Sequence, residues 1–122
     1  MNYVHLYSGP DGLSHFKDIE VETAVDTKDP GTELSKLIRA TGMMLRHNSS
    51  EYQMDYHTAP RRQFIINLSG TVEIVASGGE TRQFGPGTIM LADDRTGKGH
   101  ISRLLSDERV SIFVHIPEDF EL

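Results

Sequence analysis

Turn-forming residues break this chain at short, even intervals. Gly9-Pro10-Asp11-Gly12, Asp29-Pro30-Gly31, His47-Asn48-Ser49-Ser50, Ser69-Gly70, Ser77-Gly78-Gly79, Gly85-Pro86-Gly87, Gly97-Lys98-Gly99 and Ser106-Asp107-Glu108 all combine residues suited to turn dihedrals. The segments between them are short and rich in Val, Ile, Phe and Thr. Short strands separated by regularly spaced turns predict an all-β sandwich or barrel.

Side-chain alternation supports this reading, most clearly in the second half. Val110, Ile112, Val114 and Ile116 share one face of a strand, with Ser111, Phe113 and His115 on the other. Val72, Ile74 and Ala76 also share a face. Gln63-Phe64-Ile65-Ile66-Asn67-Leu68 is apolar on both sides, as a central strand is, and Thr88-Ile89-Met90-Leu91 is a further short strand. In the first forty residues, Leu6–Tyr7 and Phe16–Thr23 read as edge strands. Glu33 to Arg39 has a weak helical spacing behind a Thr32 cap, but Leu37 to Arg46 also fits a strand, and its β neighbours favour the strand. Asp18, Glu20, Glu22, Asp26, Asp29 and Glu33 read as a solvated face. A chain of 122 residues suits one core. The expected division is an N-terminal arm over residues 1–39, packed on the barrel or on a partner subunit, and a barrel over residues 40–122.

Charge narrows the function. Twelve Lys and Arg against 18 Asp and Glu give a net charge of −6, which argues against a nucleic-acid partner and against an anionic membrane surface. No apolar run approaches the roughly 20 residues that span a bilayer, and residues 1–10 show no signal-peptide pattern. The expectation is a cytoplasmic protein with a small-molecule ligand. With no cysteine, disulfides, thiolate metal sites and cysteine nucleophiles are excluded. G-x-S-x-G, P-loop and G-x-G-x-x-G motifs are missing too, so no nucleotide cofactor is expected. Six histidines remain as the versatile chemical groups.

The segment from Tyr56 to Glu73 carries the most specific pattern. It resembles the first motif of the cupin superfamily, a His-x-His pair followed by a Glu and then a turn Gly. His57 stands at the first His, Ala59 replaces the second, Gln63 stands where the Glu belongs, and Gly70 is the turn Gly. Gly87 to His100 is similar to the second cupin motif, with Gly97 as its inner Gly, His100 as its ligand and Arg95 in place of the usual proline. The resemblance covers roughly residues 40–116. It implies a jelly-roll barrel (a double-stranded β-helix) with one divalent transition metal inside, one of Fe, Mn, Ni, Cu or Zn.

The metal ligands implied here are His57, Gln63 and His100. Ala59 offers no donor and an amide no charge, so the metal site is weaker than the family's, rebuilt or lost. His47 and Asp55 are possible replacements, though each also reads as an ordinary exposed side chain. His115 shares a face with Ser111 and Phe113 and is the candidate catalytic residue, to orient substrate or move protons. Asn67 alternates with Gln63 and Ile65, which points a polar amide inward. Asn67 is therefore a candidate substrate contact, with Ile65, Met90 and Phe113 as apolar walls. Arg61 and Arg62 read as a rim pair facing opposite ways, His5 and His15 as structural, and Asp93-Asp94-Arg95 as turn chemistry. Two functions follow. One is a metal-assisted isomerase, cyclase, lyase or dioxygenase acting on a small organic substrate; the other is a metal-free module that binds a small metabolite. A bare edge strand is a liability, and small cupins are commonly dimers, so a homodimer is expected.

Overall fold

The computed structural model describes residues 1–122, which form twelve strands and no helix. None of the chain is therefore a helix able to cross a membrane. In chain order the strands are β1 (Asn2–Ser8), β2 (Ser14–Glu20), β3 (Thr23–Val25), β4 (Glu33–Ser35), β5 (Gly42–Asn48) and β6 (Gln53–His57). They continue with β7 (Gln63–Ser69), β8 (Val72–Ala76), β9 (Thr81–Phe84), β10 (Ile89–Asp93), β11 (His100–Leu104) and β12 (Arg109–His115). The fold is all-β, as the turn spacing requires.

Ten of these strands form two sheets. The larger has the order β2-β1-β10-β7-β12-β5 and the smaller β6-β11-β8-β9, while β3 and β4 pair by themselves as a hairpin. Pairing is antiparallel throughout except between β1 and β10, where Leu6 lies opposite Ala92. This parallel pair makes β1 an internal strand, where local sequence suggested an edge. Its partner lies more than eighty residues away, and local periodicity carries no trace of such a pairing. Residues 37–41 are irregular and the strand begins only at Gly42.

The alternation read from sequence becomes two inward faces. Leu6, Phe16, Met90 and Ala92 from the larger sheet pack against Val72, Ile74, Ala76 and Phe84 from the smaller one, together with Ala59. Burial of this apolar surface, at about 25 cal/mol per Å², is what holds the sheets face to face. A second cluster covers the outer side of the large sheet, where Tyr3, Phe64, Leu91 and Ile116 pack with Phe120 of the C-terminal segment. The buried Arg62 fastens that segment by donating to the carbonyls of Glu118 and Phe120.

A closed barrel was expected, but the two sheets share no ladder. At one corner, a backbone bond from the Gly78 amide to the Ser14 carbonyl is joined by side-chain bonds. Ser77 Oγ accepts from the Ser14 amide, and Ser14 Oγ donates to the Gly99 carbonyl at 2.6 Å. At the other corner β5 and β6 follow one another in sequence yet do not pair, and the sheets part between them. Met44 and Met54, exposed at 45% and 40%, flank that opening.

Candidate functional site

Inside this opening lies a cavity of about 340 Å³, near the lower end of typical small-ligand pockets. A second hollow, beside the β3–β4 hairpin, is a solvent-open dip lined mainly by small and charged surface residues, with no histidine or arginine. The first cavity is where the sequence motifs converge.

His57 ends β6 and His100 begins β11, and these two residues are directly paired across the small sheet. Their rings lie 4.3 Å apart between centroids. Each ring is held by its Nδ1. His57 Nδ1 lies 2.8 Å from the Asp55 carbonyl oxygen, and His100 Nδ1 lies 2.5 Å from Asp94 Oδ2. Both partners only accept, so the proton of each neutral ring sits on Nδ1 and Nε2 carries the lone pair. Neither Nε2 has a protein partner, and both rings line the cavity. Asp94 is fully buried behind His100, and its second oxygen has no hydrogen-bond partner. A lone buried carboxylate of this kind fixes the ring it touches and stabilises positive charge on it.

Gln63, Ile65, Met90 and Phe113 line the same cavity from the large sheet. Their placement follows from register: Ile65 is opposite both Met90 and Phe113, so all three share the inward face. Gln63 Oε1 is buried without a partner. Asn67 is also inward and buried, but its amide is used by the protein. Nδ2 donates to the carbonyls of Gly70 and Phe84, and Oδ1 accepts from Arg109 Nε at 2.8 Å. Asn67 thus orients Arg109 and does not itself line the cavity. His115 lies outside the lining residues, and its Nε2 accepts from Arg61 Nη1 at 3.3 Å.

The remaining candidates have other partners. His47 meets Glu108 on the surface, His15 meets Asp11, and His5 bonds Asp93. Asp55 accepts from the Tyr56 amide. Arg61 and Arg62 do face opposite ways: Arg61 lines the cavity, while Arg62 is buried against Asp93. For Asp93, desolvation by burial is outweighed by the His5 bond and the Arg62 and Arg95 charges, so its carboxyl is held below the usual range.

Sequence reasoning missed Arg46, Arg109 and the role of Asp94. One of these had a signal: Arg109 precedes Ser111 by two positions and so shares its inward face, whereas Arg46 reaches that face through its pairing with Ser111, a long-range register. Asp94 sits in a loop, where no periodicity marks direction.

No group of three or more His, Asp or Glu side chains is placed to hold a metal ion. The donors at hand are two imidazoles and one amide, none of them anionic, in a cavity that also receives the guanidiniums of Arg46 and Arg109. This set does not fit a resident divalent cation, whose charge it leaves uncompensated. A carboxylate at position 63 changes that balance. Gln63→Glu is expected to raise Zn(II) affinity about ten- to hundred-fold, measured by calorimetry on untagged protein, from the worth of one charged ligand contact. Equal Zn(II) affinity in both proteins would show that position 63 does not act together with the imidazoles.

Compared with models of known protein families and with curated protein sequences, the chain matches none.

Proposed function

We propose that this protein is a cupin-type enzyme that moves a proton on a small organic substrate, in an isomerase, cyclase or lyase step without a resident metal. The jelly-roll reading is supported by two facing sheets and by the order of the motifs, which brings His57 and His100 together from distant segments. The observation that carries the function is the buried Asp94–His100 pair, with the Nε2 of His100 directed to a cavity rather than to a protein partner.

In this arrangement His100 is the general base. Its Nε2 takes a proton from substrate, and Asp94 stabilises the imidazolium that forms. His57, held by the Asp55 carbonyl, supplies the second proton-handling nitrogen across the cavity end. Ile65, Met90 and Phe113 form the apolar wall that excludes water from the reacting carbon. General acid–base catalysis of this kind contributes about 10²–10⁴-fold in rate.

The test is proton exchange in D₂O. The protein is incubated with small 2-oxo acids, 3-oxo acids and neutral ketones, and loss of the α-proton signal is followed by NMR. Catalysed exchange in at least one compound, abolished in His100→Asn and reduced in His57→Asn, is the expected result. Saturable binding without exchange in any compound would overturn the enzyme reading and leave a small-metabolite binding module.

A further inference from the structure

The arginines of this chain divide into two groups. Arg39, Arg62, Arg82, Arg95 and Arg103 each have a carboxylate within ion-pair distance. Arg46, Arg61 and Arg109 have none, and all three line the one cavity. The protein as a whole carries six excess negative charges. It nevertheless gathers three unpaired guanidiniums at a site with no Asp or Glu in its lining.

Arg46 and Arg109 are the inner pair. They project from neighbouring strands, at diagonal positions of the β5–β12 ladder. Each donates from Nε to a neutral oxygen: Arg46 to Ser111 Oγ at 2.8 Å and Arg109 to Asn67 Oδ1 at 2.8 Å. Arg46 also stacks on the Phe113 ring, 4.3 Å from its centroid. Tyr52 is the other side chain that meets the Arg46 guanidinium, 5.9 Å from its ring centroid, and Arg46 Nη2 is buried without a hydrogen-bond partner. Arg109 is only 3% exposed. Burial, then repulsion from Arg46, pushes the Arg109 guanidinium down to about 10. It is still charged at neutral pH, so a buried and a half-buried guanidinium lie together without a carboxylate partner. That arrangement is unfavourable by itself, and an incoming anion relieves it.

We infer that the cavity takes a small organic carboxylate, gripped by the terminal nitrogens of Arg46 and Arg109, with Arg61 drawing it in at the mouth. The planar forks of two arginines suit the bidentate acceptors of a carboxylate, and the apolar wall of Ile65, Met90 and Phe113 suits its carbon skeleton. Arg61, an exposed cation at the opening, raises the local concentration of anions. This inference rests on the reading of the cavity as the substrate site, but it concerns binding and does not require turnover.

Calorimetry with pyruvate, 2-oxoglutarate, succinate and benzoate, against the amides of succinate and benzoate, tests it. At least one carboxylate is expected to bind, and its amide about ten-fold more weakly or not at all. Arg46→Gln and Arg109→Gln should each weaken that carboxylate about 10–100-fold, the worth of a charge-assisted hydrogen bond. Arg46→Met adds a readout on the free protein. Removing a half-buried cation that has no carboxylate partner should leave its melting temperature equal or higher, while the carboxylate no longer raises it. Should Arg46→Met fail to fold, Arg46→Lys keeps the charge and loses the fork, and should bind more weakly than wild type. No carboxylate binding in the panel, or binding unchanged within twofold in both Gln variants, would overturn the inference. Carboxylate binding that depends on both arginines without proton exchange would sustain it while removing the enzyme reading.

Discussion

Asp94→Asn is expected to keep the fold and to lose about 10²–10⁴-fold of the proton-exchange rate. The two side chains have nearly the same volume, so the fully buried site receives no overpacking. What changes is the polarity of one hydrogen bond. The Asp94 carboxylate can only accept, which keeps the proton of His100 on Nδ1, at a separation of 2.5 Å from Oδ2. An amide presenting its NH₂ reverses the bond, moves the proton to Nε2 and leaves the cavity side of the ring without a lone pair. It also removes the negative charge that stabilises an imidazolium. The ¹⁵N shifts of labelled histidine report the tautomer directly, so the structural half of the prediction needs no substrate. An unchanged His100 tautomer with an unchanged exchange rate would show that Asp94 has no part in the chemistry.

Legibility in the sequence followed the range of the interactions involved. Val110 to His115 and Val72 to Ala76 announce their strands because a half-buried sheet imposes a period of two on adjacent residues. Ile65, Met90 and Phe113 could be placed on the cavity wall for the same reason. The parallel pairing of β1 with β10 and the parting of the sheets between β5 and β6 depend on contacts between distant segments. No local pattern encodes these, so an internal strand read as an edge and an open sandwich as a barrel. Asn67 shows a finer limit. Its inward direction was legible, but whether its amide met a ligand or another side chain depended on Arg109, forty-two positions away. The two inner arginines were overlooked because charged residues are by default assigned to the surface; the alternation through Arg109, Ser111 and Phe113 set the direction of Arg109, while that of Arg46 depended on its pairing with Ser111.

Gly99→Ala is expected to destabilise the protein by about 4 kcal/mol or more, among the largest effects a single methyl group can have. Gly99 adopts φ +76°, and a Cβ there would lie 2.0 Å from the His57 carbonyl oxygen and 2.8 Å from the Thr58 amide nitrogen. Those are backbone atoms, so no rotamer change makes room. The left-handed conformation alone costs roughly 1–2 kcal/mol for a residue with a Cβ; separating β11 from β6 to relieve the overlap supplies the rest. Gly12→Ala isolates the first contribution, because Gly12 has φ +78° and nothing within 4 Å of the added methyl. Thermal denaturation followed by circular dichroism should therefore show a drop of a few degrees for Gly12→Ala and about 10–20 °C for Gly99→Ala. The site would be affected before the fold is lost. Gly99 precedes His100 and presses on the backbone of His57, so the same close approach that forbids a side chain sets the two imidazoles 4.3 Å apart. Equal losses in the two variants would mean that β6 and β11 do not meet as closely as this geometry requires, and the pairing of His57 with His100 would fail with it.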